Sequence, residues 1–193
     1  DEVYGDRNKG FFNEKDLLKP SNPYAASKAA ADMMVLAWSR TYDVDYIIFR
    51  PTNNYGIGQY PEKLLPLTVK NLLRDRKIRL HNEGKPIRTW LHADDTASAV
   101  IKIIESENVN EIYNVSGHYE QSNVDTVHKI FNIYGIPQGD YDNYIDFGYS
   151  RVGQDVRYAI DDSKLRSLGW GPERKFDEEL ESIVRYYRDN FIW

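Results

Sequence analysis

Apolar positions recur along the chain at two spacings. Asp45-Tyr46-Ile47-Ile48-Phe49-Arg50 is short and nearly continuous in its apolar core, as a buried strand of a parallel sheet would be. Ile78 to His81 and Glu111 to Val115 read as further strands. Helical spacing appears over residues 62–76 and 94–105, where Ala97, Val100, Ile101 and Ile104 share one face. It appears again over 122–134, ending at Gly135, and near 162–168 and 177–190. The stretch Tyr24 to Tyr42 is rich in Ala and Met and predicts a long helix. Ser21-Asn22-Pro23 gives that helix a polar cap and a proline at its first turn. Asp1 to Gly5 reads as the end of a strand running into a turn. Residues 6–20, 51–61 and 139–160 read as irregular, except for a short strand near Val156 to Ile160. Strands alternating with helices predict an α/β fold.

Composition narrows the function. The chain has 193 residues, 41% hydrophobic and 28% charged, ordinary values for a globular protein with one sizeable core. A net charge of −5 gives no basic footprint for nucleic acid. With no cysteine, disulfides, thiolate metal sites and cysteine nucleophiles are excluded. His81, His92, His118 and His128 lack metal-ligand spacing, so no metal is expected. No apolar run approaches the roughly 18 residues of a membrane span, and no signal peptide is visible, so the expected setting is the cytoplasm. Trp38, Trp90 and Trp170 read as core anchors, and Tyr186-Tyr187 as packing the last helix down. No Gly-x-Gly-x-x-Gly or Gly-x-x-Gly-x-x-Gly follows a strand. A dinucleotide site needs that turn to bring backbone and helix N-terminus to the pyrophosphate. If this chain serves such a site, the first βαβ units are expected to precede residue 1.

Four groups of residues can carry chemistry. Tyr24 and Lys28 lie four apart, on one helix face. A neighbouring ammonium favours a phenolate, and a phenol tuned that way can take a hydroxyl proton near neutral pH. Read from spacing alone, the pair equally fits an unremarkable helix surface. Asp1 and Glu2 are adjacent acids at a strand end, where ligands sit in open α/β sheets, and two carboxylates can divide acid and base roles. The spacing alone also fits a charged turn. Asn53 and Asn54 offer amide donors and acceptors suited to sugar hydroxyls. Lys63, at a helix start, and Arg88, beyond the Gly84 turn, could clamp a diphosphate.

Seven segments together resemble the dTDP-glucose 4,6-dehydratases, of the extended short-chain dehydrogenase/reductase superfamily. They are Asp-Glu-Val-Tyr-Gly-Asp (1–6), Asn-Pro-Tyr-Ala-Ala-Ser-Lys-Ala-Ala (22–30), Asn-Asn-Tyr-Gly (53–56), Pro-Glu-Lys-Leu-Leu-Pro-Leu (61–67), Ile-Arg-Thr-Trp-Leu (87–91), Glu-Ile-Tyr-Asn-Val-Ser-Gly (111–117) and Gly-Gln-Asp-Val-Arg-Tyr-Ala-Ile-Asp (153–161). Tyr-x-x-x-Lys is shared by the whole superfamily, whereas Asp-Glu with Asn-Asn-Tyr-Gly and Pro-Glu-Lys-Leu is far more specific. The resemblance implies the C-terminal part of a Rossmann-type parallel sheet (residues 1–60) and a smaller α/β substrate-binding domain (mainly 61–193), with some segments returning to the sheet. It implies NAD as cofactor and a nucleotide sugar as substrate, oxidised at C4, dehydrated across C5 and C6, and reduced at C6.

In that scheme Tyr24 is the base at the 4-hydroxyl, Lys28 holds the nicotinamide ribose, Glu2 takes the C5 proton and Asp1 protonates the departing 6-hydroxyl. Asn53 contacts substrate and Asn54 lies by the cofactor. Lys63 and Leu64 meet the diphosphate and nucleoside. Arg79, Leu80 and His81 lie beside the base, Arg88 and Asn123 make further nucleotide contacts, and Arg151 with the loop around Gln154 closes over the nucleotide. The chain departs from the family at Ile57 for a usual Pro, Thr89 for a usual Asp and Gln154 for a usual His, and the Thr or Ser usual before Asp-Glu is absent. A homodimer through the 24–42 helix is implied, as is an N-terminal NAD-binding half, without which this chain is expected to be inactive. The alternatives are a related epimerase or decarboxylase, or a non-catalytic nucleotide-sugar binding fragment. The Asp1-Glu2 pair separates the first of these from a dehydratase.

Overall fold

The computed structural model describes residues 1–150, 152–153 and 156–190. Its elements in order are α1 (Pro23–Tyr42), β1 (Ile47–Pro51), β2 (Asn53–Tyr55), α2 (Leu64–Leu73), β3 (Ile78–His81), β4 (Ile87–His92), α3 (Ala93–Glu105), β5 (Glu111–Val115), β6 (Tyr119–Ser122), α4 (Asn123–Ile133), α5 (Tyr141–Tyr144), β7 (Ile145–Tyr149), α6 (Ser163–Arg166) and α7 (Phe176–Asn190). Short 3-10 turns occupy Glu2–Tyr4, Asn82–Gly84 and Gln138–Asp140.

Among the described residues the strands form three small sheets. β1 runs parallel to β5, in register from Ile47 opposite Glu111 to Pro51 opposite Val115. β4 is the centre of the second sheet, parallel to β2 and antiparallel to β6. β3 runs parallel to β7. Parallel pairs joined through helices make the fold α/β, as the alternation predicts. The β1–β5 pair is reached only after the intervening β2–β4 segment, so the chain leaves its first sheet and returns to it. Val115 is fully buried at the end of β5. The chain then crosses β4 so closely at Gly117 that a Cβ there would lie 1.8 Å from the Trp90 carbonyl oxygen. Only glycine fits.

Several sequence expectations are corrected. β2, β4, β6 and β7 were not legible as strands; β6 reads Tyr-Glu-Gln-Ser, and polar segments this short are paired by tertiary contacts with β4 rather than by local preference. Near residues 156–160 the chain makes only isolated bridges, Phe12 with Ile160 and Ile87 with Arg157. The apolar face read on α3 is the wrong one. The helix buries Asp95, Ala99 and Ile103, while Ile104 is 62% exposed. Asp95 decides the orientation: its carboxylate accepts the backbone N–H groups of Glu173 and Arg174, both at 3.1 Å. Ser98 Oγ, one turn on, accepts Trp170 Nε1 at 2.9 Å. Trp170 and Trp90 are core residues as expected, but Trp38 is 57% exposed on α1 and lies tilted against Tyr42. Asp1 to Gly5 forms a 3-10 turn instead of a strand end.

α1 begins as the sequence predicts. Asn22 accepts the Ala25 N–H with its side chain, and Pro23 occupies the first turn. Of its 20 residues only Ala25 and Ala29 are buried. α7 packs through Phe176, Leu180 and Ile183 on Leu65 and Val69 of α2 and on Trp90. Tyr187 accepts the Gln59 N–H at 2.7 Å and donates to the Gly56 carbonyl at 2.8 Å, tying the 56–59 loop to the helix. Tyr186 is partly exposed. Among the described residues no helix is long and apolar enough to cross a membrane.

Candidate active site

The sheet ends gather the chemistry-bearing residues in two groups. The first surrounds the end of β1. The Asp1 nitrogen donates to the Pro51 carbonyl at 3.2 Å, and the chain then closes the Glu2–Tyr4 turn. Gly5 ends that turn with φ +81, and a Cβ there would lie 2.3 Å from the Lys19 carbonyl oxygen, so the turn needs glycine. Val3 and Tyr4 pack with Ala29 of α1 in one buried cluster. The turn carrying Asp1 and Glu2 therefore sits against the first half of the helix carrying Tyr24 and Lys28.

Tyr24 is 58% exposed, and Lys28, one turn on, is also exposed. Among the buried polar atoms with no hydrogen-bond partner among the described residues are Asp1 Oδ2 and Asn53 Oδ1. A buried carboxylate oxygen and an amide oxygen left unpaired are costly. Asn53 opens the edge strand β2, and Asp1 adjoins the end of β1 through Pro51. Asn54 differs. Its Oδ1 accepts the Thr96 hydroxyl at 2.7 Å and its Nδ2 donates to the Thr52 carbonyl at 3.0 Å, so much of its amide is used inside the protein.

The second group surrounds β3 and β4. Lys63 is exposed at the N-terminus of α2, and Leu64 packs into two neighbouring hydrophobic clusters. Arg79 and His81 are exposed and both approach Tyr149 of β7, with the guanidinium 4.7 Å from the ring centroid and the imidazole edge-on at 6.2 Å. Leu80 points the other way into the core, 2% exposed, which leaves its backbone for any ligand. Arg88 lies over the Tyr158 ring at 4.9 Å. Asn123 starts α4, its N–H on the Pro86 carbonyl at 3.0 Å, so it neighbours the start of β4. Thr89 is buried and donates to the Tyr158 carbonyl at 3.1 Å, a role within the fold. Arg151 and Gln154 lie outside the described residues. No cluster of His, Asp and Glu that could hold a metal occurs among the described residues.

Sequence reasoning passed over Tyr4, Arg50, Thr96, Asn114 and Tyr149. For Arg50 and Asn114 a signal was present, since a charged or amide side chain inside an otherwise apolar strand is buried only with partners.

Known proteins resemble this chain over nearly all of its length. The family model described as GDP-mannose 4,6 dehydratase matches residues 1–183. The dTDP-glucose 4,6-dehydratase of Neisseria gonorrhoeae is 40% identical over 98% of this chain and 58% of its own length. The low-salt glycan biosynthesis protein Agl12 of Haloferax volcanii is 38% identical over 97% of this chain and 59% of its own. The crystal structure of the dTDP-glucose 4,6-dehydratase DesIV from Streptomyces venezuelae, with NAD and TYD bound, superposes with a TM-score of 0.92 at 37% identity, over 98% of this chain and 58% of that one. The chain thus spans somewhat under two thirds of the length of these relatives. Since the family match takes in nearly every residue, the chain belongs to the GDP-mannose 4,6 dehydratase family of extended short-chain dehydrogenases/reductases.

Proposed function

We propose that the natural-length protein dehydrates a nucleoside-diphosphate glucose, best dTDP-glucose, to its 4-keto-6-deoxy sugar with NAD as cofactor. One observation carries this reading: two adjacent acids, Asp1 and Glu2, stand on a turn packed against the helix of Tyr24 and Lys28. Epimerisation at C4 needs the phenol and its lysine alone. Removing water also needs a base for C5 and an acid for the 6-hydroxyl.

The residues present fit the nicotinamide side of the cofactor: an exposed phenol and an exposed ammonium stand one turn apart on a helix packed against the Asp1-Glu2 turn, where Asp1 Oδ2 has no hydrogen-bond partner among the described residues. Bound NAD⁺ supplies the hydride acceptor for C4 and returns that hydride to C6. Tyr24 Oη takes the proton of the sugar 4-hydroxyl as C4 is oxidised. The resulting ketone acidifies the C5 hydrogen, which Glu2 removes. The C6–O bond breaks as Asp1 delivers a proton to the leaving oxygen, releasing water. Glu2 returns its proton to C5 as C6 is reduced. Exchange with solvent then strips Tyr24 and reloads Asp1. Lys63, Arg79, His81, Arg88 and Asn123 hold the nucleotide, and Leu64 and Leu80 shape its site through backbone and packing. Residues 1–60 complete the cofactor domain and 61–193 mainly form the substrate domain. The exposed α1 residues Met33, Met34 and Trp38 form the homodimer surface.

The test is to supply the natural-length enzyme with NAD⁺ and dTDP-glucose and analyse the sugar by mass spectrometry. The expected product has lost one water and carries a 4-ketone. A C4 epimer of unchanged mass, or a bound but unaltered sugar, would overturn the reading.

A further inference from the structure

The turn carrying Asp1 and Glu2 is tied to α1 by a buried polar chain that no sequence motif contains. Arg50, on β1, is 5% exposed. Its Nε donates to Asp32 Oδ2 at 2.8 Å, and its Nη1 donates to the Tyr4 hydroxyl at 2.6 Å. Tyr4, fully buried and stacked on Phe12 at 5.2 Å, donates in turn to Asn114 Oδ1 at 2.8 Å. Asn114 Nδ2 donates to the carbonyls of Phe12 and Asp161, both at 3.1 Å. Asp32 stands one helical turn beyond Lys28, and Tyr4 two residues beyond Glu2. One guanidinium thus bridges the helix of the phenol and the turn of the acids.

We propose that Arg50, acting through Tyr4, is a positioning residue for the elimination step, holding the Asp1-Glu2 turn at the distance from Tyr24 that lets one hexose ring meet all three. This rests on the dehydratase reading above. Three features of the chain support it. A buried guanidinium tolerates few geometries, because its planar fork must find acceptors in fixed directions. The two ends of the link are anchored unequally. α1 has its own Asn22 cap and the packing of Ala25 and Ala29. The three-residue turn is anchored through Val3 and Tyr4. Loosening the link therefore displaces the acids and leaves the phenol in place. Oxidation at C4 uses Tyr24, whereas loss of water uses Asp1 and Glu2, so the two steps respond differently.

The variants are Tyr4→Phe, which keeps the ring stacked on Phe12, and Asp32→Ala, which frees the other end of the guanidinium. Each is made in the natural-length enzyme loaded with NAD⁺ and mixed rapidly with dTDP-glucose. NADH absorbance reports C4 oxidation, and solvent deuterium at C5 with dehydrated product reports elimination. Calorimetric binding of dTDP and a thermal melt report the nucleotide site and the fold. Misplacement of a reacting group by about 1 Å can cost up to about a hundredfold. Elimination is expected to slow about tenfold or more, with oxidation changed less than about threefold, dTDP binding retained, and NADH accumulating during turnover. Equal slowing of both steps in both variants would make the chain merely structural and overturn the proposal, as would a wild-type ratio of the two rates. If Tyr4→Phe fails to fold, Asp32→Ala alone decides between these outcomes. A wild-type enzyme that makes no dehydrated sugar would overturn the functional reading itself.

Discussion

Asn114→Ala removes the hub of the buried polar chain. Asn114 is fully buried, and its side chain makes three hydrogen bonds: one accepted from the Tyr4 hydroxyl and two donated to the carbonyls of Phe12 and Asp161. At a net value of about 1 kcal/mol each, their loss comes to about 3 kcal/mol. The partners are not all stranded, which keeps the cost from rising much further. The Tyr4 oxygen still accepts from Arg50, and the Phe12 carbonyl still accepts the Asp161 N–H at 2.8 Å. For a chain of this size about 3 kcal/mol corresponds to a melting temperature lower by roughly 6–12 °C. Thermal unfolding followed by circular dichroism, wild type against variant in the same buffer, measures it. A fall of less than about 3 °C would show that the chain through Asn114 does not hold the Asp1-Glu2 turn, and the reasoning built on it would fail.

Three further predictions concern single side chains. Tyr24→Phe in the natural-length enzyme should abolish 4-keto product with little loss of nucleotide-sugar affinity, measured by product analysis and calorimetry; lost binding with retained turnover would contradict its role as the base. Glu2→Gln should allow C4 oxidation, seen as NADH absorbance, while blocking loss of water, and unchanged dehydration would remove Glu2 from the chemistry. Tyr187→Phe deletes the hydroxyl that accepts from Gln59 N and donates to Gly56 O. It should cost about 1–3 kcal/mol in urea unfolding, and a change below about 0.5 kcal/mol would mean that the 56–59 loop is held by other contacts.

The sequence was most informative where local rules suffice. α1 starts at Pro23 under an Asn22 cap, as the Ser-Asn-Pro signal reads, and β1, β3 and β5 fall on apolar runs. It was least informative where pairing partners are distant. Asn53-Asn54-Tyr55 becomes a strand because Trp90 to His92 lie alongside it, and nothing within those three residues says so. α3 has two plausible apolar faces, and a buried Asp95 bonded to Glu173 and Arg174 selects the one with Ala99 and Ile103 over the one with Ile101 and Ile104. The same holds at the site. The family resemblance, not spacing, nominates Asp1, Glu2, Tyr24 and Lys28 as a set. The guanidinium linking their supports joins residues 4, 32 and 50, and no local pattern carries such a link.

The central claim is that a phenol and two acids act in succession on one sugar ring, and the fate of one hydrogen tests it most directly. The natural-length enzyme is given NAD⁺ and dTDP-glucose deuterated at C4, and the product is examined by NMR. The expected result is deuterium at C6 of a 4-keto-6-deoxy sugar, carried there within the same molecule. Deuterium found at C4 of an epimerised or unchanged sugar, with the 6-hydroxyl intact, would contradict it.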